Sequence, residues 1–188
     1  MELYFIRHAQ AQHVLNPPES LQLKDPSLTS TGENQARKLH EIFPISKEDL
    51  LIISPLRRTI QTALVWTNDV KCQMIVSPLV GPRMFPLLSA ADAYACDESL
   101  SRPMIERDFP QLEVVNCDHW EKGINVISEP EFQQLAEQFI NWCRDFRQDK
   151  IYIVSHDGTI TSYRQFLGES VTREDFLGDT GWYRVNVY

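Results

Sequence analysis

The chain has 188 residues, a normal size for one compact domain with a real hydrophobic core. A formal net charge of −8 argues against a nucleic-acid partner, which needs a basic surface, but allows a small positive pocket for an anionic substrate. No stretch is apolar for long enough to span a membrane, and the first ten residues, MELYFIRHAQ, are too short in apolar character for a signal peptide, so the chain is expected in the cytoplasm.

In chain order, Leu3-Tyr4-Phe5-Ile6 is a short apolar run suited to a buried strand. Ser30 and Glu33 have capping-box spacing, with Ala36, Leu39 and Phe43 following on one helical face. Leu50–Ile53 predicts a second buried strand, after which Ser54 as N-cap and Pro55 in the first helical position open a helix. Cys72–Val76 reads as a third strand. Residues 77–128 show no clear period and are broken by Pro78, Pro82, Pro86, Pro103 and Pro110. This variable segment is expected to hold one short helix and to lie on the substrate side. Ser128 and Glu131 form another capping pair and start an amphipathic helix with Phe132, Leu135, Phe139, Trp142 and Phe146 inward. Ile151–Val154 predicts a fourth strand, followed by a turn and a helix over about 159–166. Tyr183–Tyr188 alternates and predicts a final strand. Strands alternating with helices predict one α/β domain over 1–188, a three-layer α/β/α sandwich with a mainly parallel central sheet.

Such sheets bind ligands beyond the carboxyl ends of their strands. Polar clusters sit at those ends here: Arg7-His8, Ser54 through Arg58, and Ser155-His156-Asp157. Singly, each is commonplace; Arg57-Arg58 suits a solvated helix face and Asp157-Gly158 a turn. Placed together after buried strands, they specify a phosphate pocket. Arg7 and Arg58 offer planar, permanently charged forks to phosphate oxygens. A neutral imidazole at His8 can attack phosphorus and form a phosphohistidine, while His156 stabilises the charge that develops. No cofactor is called for and no metal is needed, since arginines and imidazole supply the positive field. The cysteines, Cys72, Cys96, Cys117 and Cys143, have no CxxC spacing and no histidine cluster, and read as reduced, packed thiols.

These residues together resemble the histidine phosphatase superfamily, also called the phosphoglycerate mutase-like superfamily. Arg7-His8-Ala9 is similar to its Arg-His-Gly signature. Leu28-Thr29-Ser30-Thr31-Gly32 with Gln35-Ala36 resembles its Leu-Thr-x-x-Gly-x-x-Gln-Ala helix start. Ser54 through Ala63 resembles the segment carrying its second phosphate-binding arginine, which falls on Arg58, and Val154-Ser155-His156 resembles the strand end with its second catalytic histidine. The resemblance implies the phosphoglycerate mutase-like fold, a phosphohistidine on His8, and a phosphate pocket of Arg7, Arg58 and His156.

The pattern departs from the family in the middle. Many relatives carry a glutamate proton donor after the third strand; the matching position falls on or near Ala90. Ala9 replaces the usual glycine. After a Gln-x-x-His pattern ending at His13, Val14 stands where a subgroup has asparagine, with Asn16 as the nearest substitute. The acid-phosphatase branch uses a His-Asp pair, so Asp157 is the first choice of donor, with Asp92, Asp97 and Glu98 in reserve. The expected activity is hydrolysis of a small phosphomonoester or a phosphorylated side chain, since the long insertions of the glycolytic mutases are absent. The alternatives are mutase-like phosphoryl transfer aided by Arg83, Arg102 and Arg107, which otherwise read as surface arginines, or a catalytically weak phosphate-binding module. Neither the substrate nor an oligomeric state is encoded in a motif.

Overall fold

The first apolar run forms β1 (Glu2–Arg7), with Leu3, Phe5 and Ile6 fully buried. In the computed structural model, which describes residues 1–187, β1 belongs to a six-stranded sheet. The other strands are β2 (Leu50–Ile53), β3 (Gln73–Val76), β4 (Glu113–Val114), β5 (Lys150–Ser155) and β6 (Trp182–Asn186). Their order is β4-β3-β2-β5-β1-β6, parallel throughout except for β6, which runs antiparallel along β1. The expected mainly parallel sheet is therefore present.

Residues one apart point to opposite faces, and helices cover both. Leu3, Phe5, Leu50, Ile52, Ile151 and Ile153 face α4 (Glu129–Arg144) and α5 (Asp157–Phe166), meeting Phe132, Phe139 and Tyr163. Ile6, Leu51, Ile53, Tyr152 and Val154 face α1 (Ser30–Ile42), α2 (Arg57–Thr67) and α3 (Arg102–Asp108), meeting Leu39, Ile60, Trp66 and Ile105. Burial on both faces explains why these strands read as unbroken apolar runs. Each fully buried large side chain contributes about 1.5–3 kcal/mol of transfer free energy. None of the described helices is long and apolar enough to cross a membrane.

Strand order positions the site. β5 lies between β1 and β2, and Arg7 is level with Ser155 while Ile53 is level with Val154. The ladder continues past the strand ends: the His8 N–H donates to the Ser155 carbonyl at 3.0 Å, and the Ser54 N–H to the Val154 carbonyl at 3.0 Å. Three polar clusters distant in sequence thus leave the sheet side by side.

Several boundaries differ from the sequence reading. The N-cap of α1 is Thr29, not Ser30: its hydroxyl accepts the Gly32 N–H at 3.0 Å, and Glu33 pairs with Arg37 instead of closing a box. Contacts with Gln10 hold Thr29 extended, since its N–H donates to the Gln10 carbonyl at 3.0 Å. Helix α2 starts at Arg57 with Leu56, not Ser54, as its N-cap and so without a side-chain cap; Pro55 precedes the helix, and the Ser54 hydroxyl meets His156 at 2.7 Å. Helix α5 starts at Asp157, directly at the strand end, so Asp157-Gly158 is a helix start and not a separate turn. Gly158 is required there, because a Cβ would collide with the Arg83 carbonyl oxygen. The variable segment holds α3 as its one α-helix and also supplies β4, whose two residues are too few to show a period. The last strand spans Trp182–Asn186; Tyr188, within the expected strand, lies outside the described residues.

Candidate active site

β1 delivers Arg7 and His8, β5 delivers His156, and the first turn of α2 delivers Arg58. Together with Asp157 they line one pocket of about 290 Å³ beyond the carboxyl ends of the strands. The rings of His8 and His156 have centroids 5.2 Å apart at an interplanar angle of 62°. Arg58 ties them together and is only 1% exposed. Its Nε donates to His8 Nε2 at 3.2 Å and its Nη2 to His156 Nδ1 at 3.2 Å. The same guanidinium donates to Asp97 Oδ1 at 2.9 Å and to the Cys96 carbonyl at 2.6 Å.

These contacts assign the imidazole tautomers, because arginine can only donate and a carbonyl can only accept. His8 Nδ1 lies 2.7 Å from the Ala9 carbonyl, so Nδ1 carries the hydrogen and the Nε2 lone pair faces Arg58 and the pocket. His156 takes the opposite form: Nδ1 accepts from Arg58, and Nε2–H donates to Ser54 Oγ. Burial, followed by the charge of Arg58, holds both rings well below the usual histidine range and therefore neutral.

Arg7 is anchored by the Leu177 carbonyl at 2.6 Å and faces Asp157 at 3.3 Å and Asp179 at 3.7 Å. Its Nε is buried without a hydrogen-bond partner among the described residues. Both Asp157 oxygens are engaged, Oδ1 by the Gly158 N–H at 2.7 Å and Oδ2 by Arg7. Of the reserve acids, Asp97 lines the pocket, while Asp92 and Glu98 do not. Asp92 accepts the Ser89 N–H at 3.2 Å, and Glu98 pairs with Lys24 at 3.4 Å. Ala90 is exposed in a short turn and is not part of the pocket wall. Asn16 is also exposed and outside the wall, whereas Val14 is part of it.

The sequence reading left several groups without a role. His13 lines the pocket with its ring centroid 5.4 Å from that of His8. Its Nδ1 is buried without a hydrogen-bond partner among the described residues, and burial with the charges of Arg58 and Arg7 pushes its pKa down to about 3. Ser54 fixes the His156 tautomer and Cys96 anchors Arg58 through its carbonyl. Ser54 looked like a helix cap and Cys96 like a packed thiol, so local pattern concealed both. At the rim stand Tyr94, Arg173 and Phe176. Arg83, offered for mutase-like transfer, is a buried brace: it donates to the Ile124 and Ile127 carbonyls at 2.9 and 3.0 Å, pairs with Glu129 at 2.9 Å, and stacks on Phe132. Arg102 and Arg107 are outside the pocket wall and pair with Glu106 and Asp108.

The neutral histidines set a pH dependence. Their folded-state pKa values lie below the unfolded value of 6.5, so the unfolded chain binds more protons in acid. The stability they contribute is full above pH 6.5 and is lost on acidification, for His13 down to about 3. The unfolding free energy should fall by up to about 1.4 kcal/mol per pH unit for each group below pH 6.5, and the unfolding midpoint in urea should fall steadily with it. Inorganic phosphate should reduce the loss by pairing with the imidazolium forms. A midpoint flat from pH 7 to pH 5 would contradict the burial of these rings.

A family model described as Histidine phosphatase superfamily (branch 1) matches residues 3–180. The chain is 27% identical over 168 residues to an adenosylcobalamin/alpha-ribazole phosphatase of Escherichia coli, covering 86% of this chain and 76% of that protein. It is 26% identical over 167 residues to a putative phosphoserine phosphatase 2 of Hydrogenobacter thermophilus, covering 84% and 74%. A probable phosphatase of Schizosaccharomyces pombe matches at 26% over 117 residues, 61% of this chain and 52% of that protein, so the match spans about half the length of this relative. The fold is shared with the alpha-ribazole phosphatase from Shigella flexneri, at a TM-score of 0.67 and 22% identity over 100% of this chain and 91% of that one. It is also shared with a phosphoserine phosphatase mutant from Entamoeba histolytica, at a TM-score of 0.63 and 20% identity over 97% and 89%. Strand order, the convergence of Arg7, His8, Arg58 and His156, and a match running through nearly the whole chain lead to one assignment: the chain belongs to branch 1 of the histidine phosphatase superfamily.

Proposed function

We propose that the chain is a phosphomonoesterase that works through a phosphohistidine on His8. The observation that carries this reading is the state of His8: a buried, neutral ring whose Nε2 lone pair points at a guanidinium 3.2 Å away, with a second imidazole across the pocket. A phosphoryl dianion entering there would take the Arg58 and Arg7 donors. His8 Nε2 would form the N–P bond as the bond to the leaving oxygen breaks, and a carboxyl group of the pocket would protonate that oxygen. Water then breaks the N–P bond, returns a proton to the carboxylate and releases phosphate. His156, protonated as the anion arrives, donates to the phosphoryl oxygens, and Arg58 neutralises their charge.

The cations offered for a mutase are committed to protein partners, Arg83 to the Ile124 and Ile127 carbonyls and Glu129, Arg102 to Glu106 and Arg107 to Asp108, which favours hydrolysis over phosphoglycerate mutase-like transfer. The orientation of His8 likewise favours catalysis over a silent phosphate-binding module. Relatives named for alpha-ribazole and phosphoserine support a small phosphorylated substrate, and the net charge of −8 argues against nucleic acid as a partner. Arg7, Arg58 and His156 supply the positive field, so the reaction runs without a metal. Unpaired Cys72, Cys96, Cys117 and Cys143 suit the reducing cytoplasm.

Rapid quenching during p-nitrophenyl phosphate turnover should trap an acid-labile, base-stable phosphoenzyme on His8. Turnover without any labelled histidine would remove the nucleophile from this reading.

A further inference from the structure

We propose that Asp97, and not Asp157, is the proton donor to the leaving alcohol; this rests on His8 being the nucleophile. The donor must stand where the phosphate pocket opens toward the space that receives the leaving group. A second cavity of about 620 Å³ adjoins the pocket, with Leu100, Arg102, Trp120 and Ile124 in its wall. Pro82 and Asp97 are the residues common to both walls, which makes Asp97 the one titratable side chain facing both spaces among the described residues. Asp157 lines the phosphate pocket alone.

The contacts of the two acids separate them further. Asp157 accepts the Gly158 N–H with Oδ1 and turns Oδ2 to Arg7 at 3.3 Å, an ion pair that orients Arg7. Asp97 gives Oδ1 to Arg58, while no hydrogen bond among the described residues holds Oδ2. Asp97 faces Arg58, Cys96 and Asp157. Burial outweighs the attraction of Arg58 and raises its pKa above the usual carboxylate value. A phosphoryl dianion would draw Arg58 toward its own oxygens and add negative charge beside Asp97, and both changes favour the protonated acid. The proton then passes from Asp97 Oδ2 to the departing alkoxide oxygen, and the carboxylate recovers it from the water that hydrolyses phosphohistidine.

The test compares two substrates. Ethyl phosphate has a poor leaving group that needs a proton, whereas p-nitrophenyl phosphate hardly does. Asp97→Asn should lower ethyl phosphate turnover by about 10²–10⁴-fold, the usual worth of a general acid, and p-nitrophenyl phosphate turnover by no more than about tenfold. Residual aryl turnover also shows that the variant folds. Asp157→Asn should lower both by similar factors, since it acts through Arg7. Equal losses in Asp97→Asn, or a selective loss of ethyl phosphate turnover in Asp157→Asn, would overturn the assignment. If the wild type labels His8 while Asp97→Asn loses both activities equally, only the donor is wrong. If the wild type labels no histidine, the nucleophile itself is wrong.

Discussion

His8→Ala should lower p-nitrophenyl phosphate turnover by on the order of 10⁴-fold or more, because the loss of a nucleophile removes the covalent pathway as a whole. The quenched phosphoenzyme should vanish with it. Arg7, Arg58 and His156 remain in this variant, so vanadate should still bind, and bound vanadate without turnover separates loss of chemistry from loss of the pocket. The His8 ring is held by the Ala9 carbonyl and Arg58 and sits in a packed interior, so the substitution opens a small cavity beside the anion site. A phosphoenzyme that persists in His8→Ala, with His156 labelled instead, would reverse the roles of the two imidazoles.

Arg58→Lys should cost about 10²–10³-fold in turnover, comparable to the removal of a preorganised donor from an oxyanion site. It should also weaken vanadate binding. One guanidinium here meets His8 Nε2, His156 Nδ1, Asp97 Oδ1 and the Cys96 carbonyl at separations of 2.6–3.2 Å. A single ammonium on a flexible stem cannot satisfy that fan of acceptors, although it keeps the charge. Of the acceptors it abandons, those of His8, His156 and Cys96 are buried, and each orphaned group costs about 1–3 kcal/mol. The urea midpoint should therefore fall together with activity. Full activity in Arg58→Lys would mean that the pocket needs only a point charge.

Sheet, layers and helix faces were legible because burial on both sides leaves an unmistakable record: Leu50–Ile53 and Ile151–Val154 contain no polar residue. Arg7, His8, Arg58 and His156 were legible because each follows such a strand, and the structure places all of them in one pocket. Asp97 was harder to single out. It lies in the proline-broken segment, where no period fixes which side chains turn inward, and its place in the pocket wall and its contact with Arg58, which distinguish it from Asp92 and Glu98, are visible only in the fold. The reading of Asp157 as first choice came from its place beside His156; sequence cannot show that Arg7 and Gly158 occupy its oxygens. Caps failed where a side chain had a distant use. The hydroxyl of Ser54 belongs to an imidazole 102 positions away, not to its own helix.

The seating of β5 between β1 and β2 has a bearing on biogenesis. The two imidazoles, on His8 and His156, are far apart in the chain, yet they meet on adjacent ribbons. A ribosome-bound fragment lacking the later ribbon would leave a gap in the middle of its sheet and could not cradle the anion. The onset of phosphate release therefore reports completion of the whole fold, which makes enzymatic assay a direct readout of refolding yield.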